Sequence, residues 1–220
     1  MRTTSAGGAP APAAAPHGVP LWPPSASTSS AGGVSALVSE RSTVGPRWLV
    51  PALLVGLLGA LGLARRAGAP RLVRGLGLLL AAAVTAATVS SAALLLVGLQ
   101  NERRSADRLL ADAGLIWVAN VLTFALWYWE LDGGGPFRRA AGAGGALDLQ
   151  FPQQAAEAPG GAAWRPGLVD YRFVAFTTAT AFSPTDTMPL SGRAKLLMMA
   201  EAALSLVVFG VLAARAIGMF

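Results

Sequence analysis

The chain has 220 residues, 54% hydrophobic and 13% charged, with a formal net charge of +6 at pH 7 and a mean hydropathy of +0.54. A soluble domain carries about a quarter charged residues, and here the apolar residues lie in long uncharged runs, which excludes a water-soluble enzyme. Lys195 is the one lysine among 17 basic residues. The arginines flank the apolar runs, so they mark membrane edges and not a nucleic-acid surface. Cysteine is absent, which removes disulfide and thiolate chemistry.

Residues 1–46 are mostly Ala, Pro, Ser, Thr and Gly. Such a stretch cannot bury enough apolar surface to offset its ordering entropy, so it reads as a disordered tail. Pro10, Pro12, Pro16 and Pro20 break the one candidate for a signal-peptide core. His17 lies in this tail and reads as a solvated bystander. The integral membrane domain is expected over 47–220.

Four segments are long and apolar enough to cross a bilayer: 48–64, 75–99, 109–129 and 196–220. The first, ending at Arg65-Arg66, would be about 25 Å long as a helix, at the short end for a hydrocarbon core of about 30 Å. Backbone amides in lipid need partners within the segment, so all four are predicted helices. The second carries small residues at four-residue spacing, Ala82, Ala86, Ser90 and Ala83, Ala87, Ser91, which permit close helix approach. That pattern suits either self-association or ordinary packing within the chain. Trp127, Tyr128 and Trp129 close the third segment as an expected interfacial aromatic belt.

Charge does not settle orientation. With the N-terminus inside, seven basic residues lie inside (Arg2, Arg41, Arg47, Arg103, Arg104, Arg108 and Arg215) and the remaining ten of 17 outside. The positive-inside rule then leans toward the reverse arrangement, though part of the excess sits in a long loop that counts for less. The polar residues singled out within the predicted spans are Asp112, Asn120 and Glu201, with Thr123 adding a hydroxyl beside Asn120. A carboxylate inside a membrane points to an ion path or a buried pair. Asp112 stands four residues after Arg108, the spacing of a helical ion pair, and both acids could also sit near headgroups.

The long connection after the third span is rich in Gly, Ala and Pro. Its Gly133-Gly134-Gly135 and Gly144-Gly145 lack the Gly-Lys-Ser/Thr of a phosphate loop. After Pro166-Gly167, the stretch 168–180 is apolar with hydroxyls and too short to span, the length of a re-entrant or interfacial helix. It breaks at Ala181-Phe-Ser-Pro-Thr-Asp-Thr-Met-Pro189. The expected architecture is therefore an all-α membrane protein with four transmembrane helices and a re-entrant segment, 168–189, between the last two.

That order resembles the pore module of the tetrameric potassium-channel family, which reads Thr-Leu-Thr-Thr-Val-Gly-Tyr-Gly-Asp with a Pro three residues on. Here Thr178-Ala-Thr-Ala-Phe-Ser-Pro-Thr-Asp186 is followed by Pro189, so Thr178, Thr180, Asp186 and Pro189 match, and Gly192-Arg193 resembles the start of the family's inner helix. Ser183 and Thr185 replace the filter glycines, and Pro184 replaces its tyrosine. A potassium filter aims successive carbonyls at a dehydrated ion, with Gly supplying positive φ. Thr resists that geometry, and Pro184 pushes Ser183 toward extended backbone. The resemblance implies a symmetric tetramer and a monovalent cation, without potassium selectivity. The run Trp127-Tyr-Trp-Glu-Leu-Asp-Gly-Gly-Gly-Pro136, taken with Ala181–Pro189, also looks like a group of bacterial four-helix membrane proteins, a likeness that brings no activity.

Two functions follow as expectations. In one, Thr180, Ser183, Thr185 and Asp186 line a polar constriction in a homo-oligomer, where four Asp186 carboxylates favour cations. In the other, the segment is structural within a non-transporting scaffold, and Asp186 caps the last helix or pairs with Arg193. The expected setting is the cell membrane, crossed several times, with the lipid bilayer as partner. Neither reading calls for an enzyme, a cofactor, a metal centre or nucleic acid. Ser183 and Asp186 have no His or Lys base nearby, no cluster has metal-ligand spacing, and the repeated halves of a transporter are missing.

Overall fold

In a computed structural model, the described residues are 49–98, 106–140, 142, 145–154, 164–180 and 186–217; the predicted tail 1–46 lies outside them. The chain is mostly helical. Helix α1 is Leu49–Arg66, α2 is Pro70–Gly98 and α3 is Ala106–Leu131. A 3-10 turn, Asp132–Gly134, leads into the short α4, Pro136–Ala140. Then come α5, Leu168–Thr180, and α6, Gly192–Ile217. Two-residue strands β1, Leu149–Gln150, and β2, Met188–Pro189, pair antiparallel, Leu149 opposite Pro189.

Three stretches are long and apolar enough to cross a membrane: 71–97, 110–134 and 192–213. In α1 the apolar stretch among residues with described side chains is the shorter Val55–Ala64. The helices begin earlier than hydropathy suggests. Arg71 and Arg74, expected in a loop, lie in the first turns of α2, and α6 starts at Gly192, not Leu196. A charged side chain in a terminal turn can reach water while its backbone stays helical.

Helix α3 is the centre of the bundle, packed on α2, α5 and α6, while α1 packs on α2. The largest core cluster joins Phe124, Tyr128 and Trp129 of α3 to Tyr171, Val174 and Ala175 of α5, with Leu149 and Phe151 above them. A second joins Ala113 and Ile116 of α3 to Val208 and Val211 of α6. The aromatic trio is not an interfacial belt. Successive helical residues point about 100° apart, so the three rings reach three neighbours. Trp127 Nε1 donates to Thr85 Oγ1 of α2 at 2.9 Å, Tyr128 OH donates to Glu201 Oε2 of α6 at 2.6 Å, and Trp129 meets Tyr171 of α5 edge-on at 5.6 Å. Tyr128 is 2% exposed and Trp129 5%.

The end of α3 turns on glycine. Gly133, Gly134 and Gly135 have φ of 56°, 83° and 99°, a region side chains resist. A Cβ on Gly135 would stand 3.0 Å from the Glu130 carbonyl oxygen. Arg74 donates to the Gly134 carbonyl and ties this turn to α2.

Of the small-residue lines in α2, Ala82, Ala86 and Ser90 are exposed, whereas Ser91 is buried. The Ser90 hydroxyl donates to its own helix, to the Ala86 carbonyl.

Candidate functional site

Helix α5 starts where Pro166-Gly167 stops the preceding chain. The Asp170 carboxylate in its first turn accepts from the Gly167 N–H at 2.7 Å, half of a capping box and a favourable charge at the positive helix end. Its buried residues, Tyr171, Val174, Ala175 and Ala179, face α3 and α6. Phe176 reaches the Trp117 ring at 5.7 Å. Trp117 is 14 residues before the end of α3, about 21 Å along the axis.

The start of α5 is held by a buried lock. Asp132, 1% exposed, accepts from the Asp148 and Leu149 N–H groups at 2.8 and 3.1 Å through Oδ1, and from Tyr171 OH at 2.6 Å through Oδ2. Arg139 donates to the Trp129 and Asp132 carbonyls. Its guanidinium lies 4.9 Å from the Trp129 ring centre and 5.2 Å from that of Tyr171, a double cation–π contact.

The chain after α5 is fastened to the same place. Leu190 N–H donates to the Asp148 carbonyl at 2.8 Å beside the β1–β2 pairing, and Arg193 grips both oxygens of Asp148 and also donates to the Leu131 carbonyl. Ser191 Oγ accepts from Ala194 N–H at 3.1 Å and so caps α6. The expected roles of Asp186 as cap or Arg193 partner are therefore taken by Ser191 and Asp148. Burial alone would raise the Asp148 carboxyl, but hydrogen bonds from Arg193 and Ser191 and the Arg193 charge outweigh it and hold it below the ordinary 3.8. A depressed folded-state value stabilises the protein above the ordinary value, and that contribution is lost as pH falls through the lower one. With the Arg193 side chain 50% exposed, the pair contributes about 1 kcal/mol or less. Thermal melts in detergent should show Arg193→Ala and wild type differing at neutral pH and converging in acid below about pH 4.

Deeper in the bundle lies a second polar group. Glu201 and Asn120 are both 0% exposed. Asn120 Nδ2 donates to the Glu201 carbonyl at 3.2 Å and to Ser205 Oγ at 2.9 Å. Tyr128 supplies one carboxyl oxygen of Glu201 with a donor, while Glu201 Oε1 and Asn120 Oδ1 have no hydrogen-bond partner. Glu201 is the tenth residue of a 22-residue apolar stretch, about 14 Å along α6, so it lies near the middle of that stretch.

The candidate residues thus divide. Asn120 and Glu201 are brought together. Asp112 is buried in α3 at 9% exposure, eight residues and about 12 Å from Asn120; the side chain of Arg108, its expected partner, lies outside the described residues. Thr180 sits at the end of α5, its hydroxyl donating to the Phe176 and Thr177 carbonyls at 3.0 and 3.1 Å. Ser183 and Thr185 lie outside the described residues, and Asp186 is exposed. Sequence reasoning did not find Asp132, Arg139, Asp148 or Tyr171. The available signal was an acid directly before three glycines, where a turn must bury backbone donors. Among the described residues no group of three His, Cys, Asp or Glu could hold a metal ion. No protein-family model, curated protein or solved structure matches the chain.

Proposed function

We propose that the chain is a multi-pass protein of the cell membrane whose segment 168–190 enters the bilayer and returns on the side it entered, forming a cation pore in a homo-oligomer. Helix α1 is the fourth span in this reading. The observation that carries it is the anchoring of both ends of the segment to one end of α3: Tyr171 on Asp132 at the start, Leu190 on Asp148 at the finish. Between those ties, α5 is 13 residues, about 20 Å and too short to cross. It packs along α3 and α6 by its buried side, with Phe176 against Trp117. Its negative C-terminal end is then directed inward, which favours a cation beyond Thr180. Thr180, Ser183, Thr185 and Asp186 would line the constriction, with the pore-module resemblance as further support.

Purified protein in liposomes should pass monovalent cations above the background of empty vesicles, and Asp186→Asn should reduce that flux several-fold. Crosslinking in the same membranes should give an oligomer, a tetramer on the pore-module analogy. A second reading, a non-transporting scaffold, draws support from the Thr177 and Thr180 hydroxyls, which donate to carbonyls of their own helix. It predicts no flux above empty vesicles and monomers on crosslinking.

A further inference from the structure

We propose that Glu201 is a proton-binding site at the centre of the bundle, reached from the Arg193–Asp148 end through Tyr128. This does not require the pore reading; a protein that conducts nothing could still hold and exchange this proton.

Three observations carry it. An ionised carboxylate in an apolar interior needs several donors to replace its lost hydration. Glu201 has one, Tyr128 OH at 2.6 Å on Oε2, and its Oε1 has none. A proton on Oε1 removes the charge and asks for no additional donor. The second observation is the unfilled acceptor Asn120 Oδ1, on a side chain bound by its amide nitrogen to the Glu201 backbone. A proton on the Glu201 carboxyl makes it a donor, and Asn120 Oδ1 is an unfilled acceptor on the side chain linked to it. The third is a cavity of about 10 Å³ lined by Tyr128, Asp132, Asp148, Arg193 and Leu197 among others, a volume that admits about one water. Tyr128 thus borders the cavity and also donates to the carboxyl.

The step is a relay. The phenol passes its hydrogen to Glu201 Oε2 while its oxygen takes one from water in the cavity, and rotation of the carboxyl then turns the protonated oxygen away so that the phenol donates to the bare one. The net change is one proton added to the carboxyl and one removed from the water side, with the phenol restored. Tyr128 on α3 is the one ionisable side chain in hydrogen-bond contact with Glu201 among the described residues; Ser205 on α6 and Asn120 on α3 do not ionise, and neither does Thr178 of α5, beside Tyr128. A metal cation is disfavoured at a single carboxyl, since hard cations gather several oxygen ligands and charges.

Infrared spectra of the full chain in lipid nanodiscs test this. The expected result at neutral pH is a protonated-carboxyl C=O band that is lost in Glu201→Gln, shifts in Tyr128→Phe because the phenol no longer donates to the carboxyl, and shifts in D2O because the proton exchanges. Exchange in Tyr128→Phe should be slower. Gln keeps the shape and an acceptor for Tyr128, and matching melting curves establish that the variants fold. Three results overturn the proposal: no such band in wild type, a band unchanged in Glu201→Gln, or a band that D2O never shifts, which marks a sealed structural acid. A carboxylate signal that responds to sodium or potassium instead also overturns it. None of these depends on whether liposomes show flux.

Discussion

Asp132→Ala should destabilise the protein by about 3–5 kcal/mol, the cost of breaking a buried charged network by removing one partner. The carboxylate accepts from two backbone N–H groups and from Tyr171 OH. Alanine leaves all three donors without their acceptor in a site 1% exposed. Asp132→Asn should cost less, about 1–3 kcal/mol, because one amide oxygen still accepts and the phenol can rotate. Thermal melts in detergent measure both. The loss should be local first: limited proteolysis of the Asp132→Ala protein should cut near 145–154 before it cuts the long helices.

Tyr171→Ala is the second large effect, about 3–5 kcal/mol from loss of a fully buried aromatic side chain. The ring touches Trp129 and Phe151 edge-on, at 5.6 and 5.4 Å between centroids, and lies under the Arg139 guanidinium. Tyr171→Phe keeps those ring contacts and removes only the bond to Asp132 Oδ2, so it should cost about 1–2 kcal/mol. The difference between the two variants separates packing from hydrogen bonding. If Tyr171→Phe cost as much as Tyr171→Ala, the hydroxyl and not the ring would hold α5 in place.

The helices were largely readable because their signals are local. Helix α5 has the bounds expected, Leu168–Thr180, since Pro166-Gly167 stops the preceding chain and an apolar run of fixed length follows. The span ends shifted by several residues because Arg74 and Arg193 tolerate a helical backbone while their side chains reach a carbonyl and a carboxylate nearby. The aromatic trio misled for a different reason. Composition at the end of a span suggests an interface, but α3 is central and surrounded, so its last turn has neighbours on three sides. The lock at Asp132 joins residues up to 39 apart across a Gly-rich connection without periodicity. Long-range pairings of that kind leave no trace in local pattern. For Glu201 and Asn120 the sequence marks a polar atom in an apolar helix; that they meet depends on how α3 and α6 rotate against each other.

In the re-entrant arrangement we propose, the chain between Asp148 and Leu190 starts and finishes on one face of the membrane. The native sequence has no cysteine, so single Cys substitutions report cleanly with a maleimide that cannot cross lipid. Ala146 and Asp186 are both exposed and clear of the Asp148–Arg193 pair. Ala146→Cys and Asp186→Cys should label from the same side of sealed vesicles, and Ala175→Cys, fully buried in α5, should label from neither. Labelling of positions 146 and 186 from opposite sides would rule out a re-entrant segment, because the chain would then cross the bilayer rather than return.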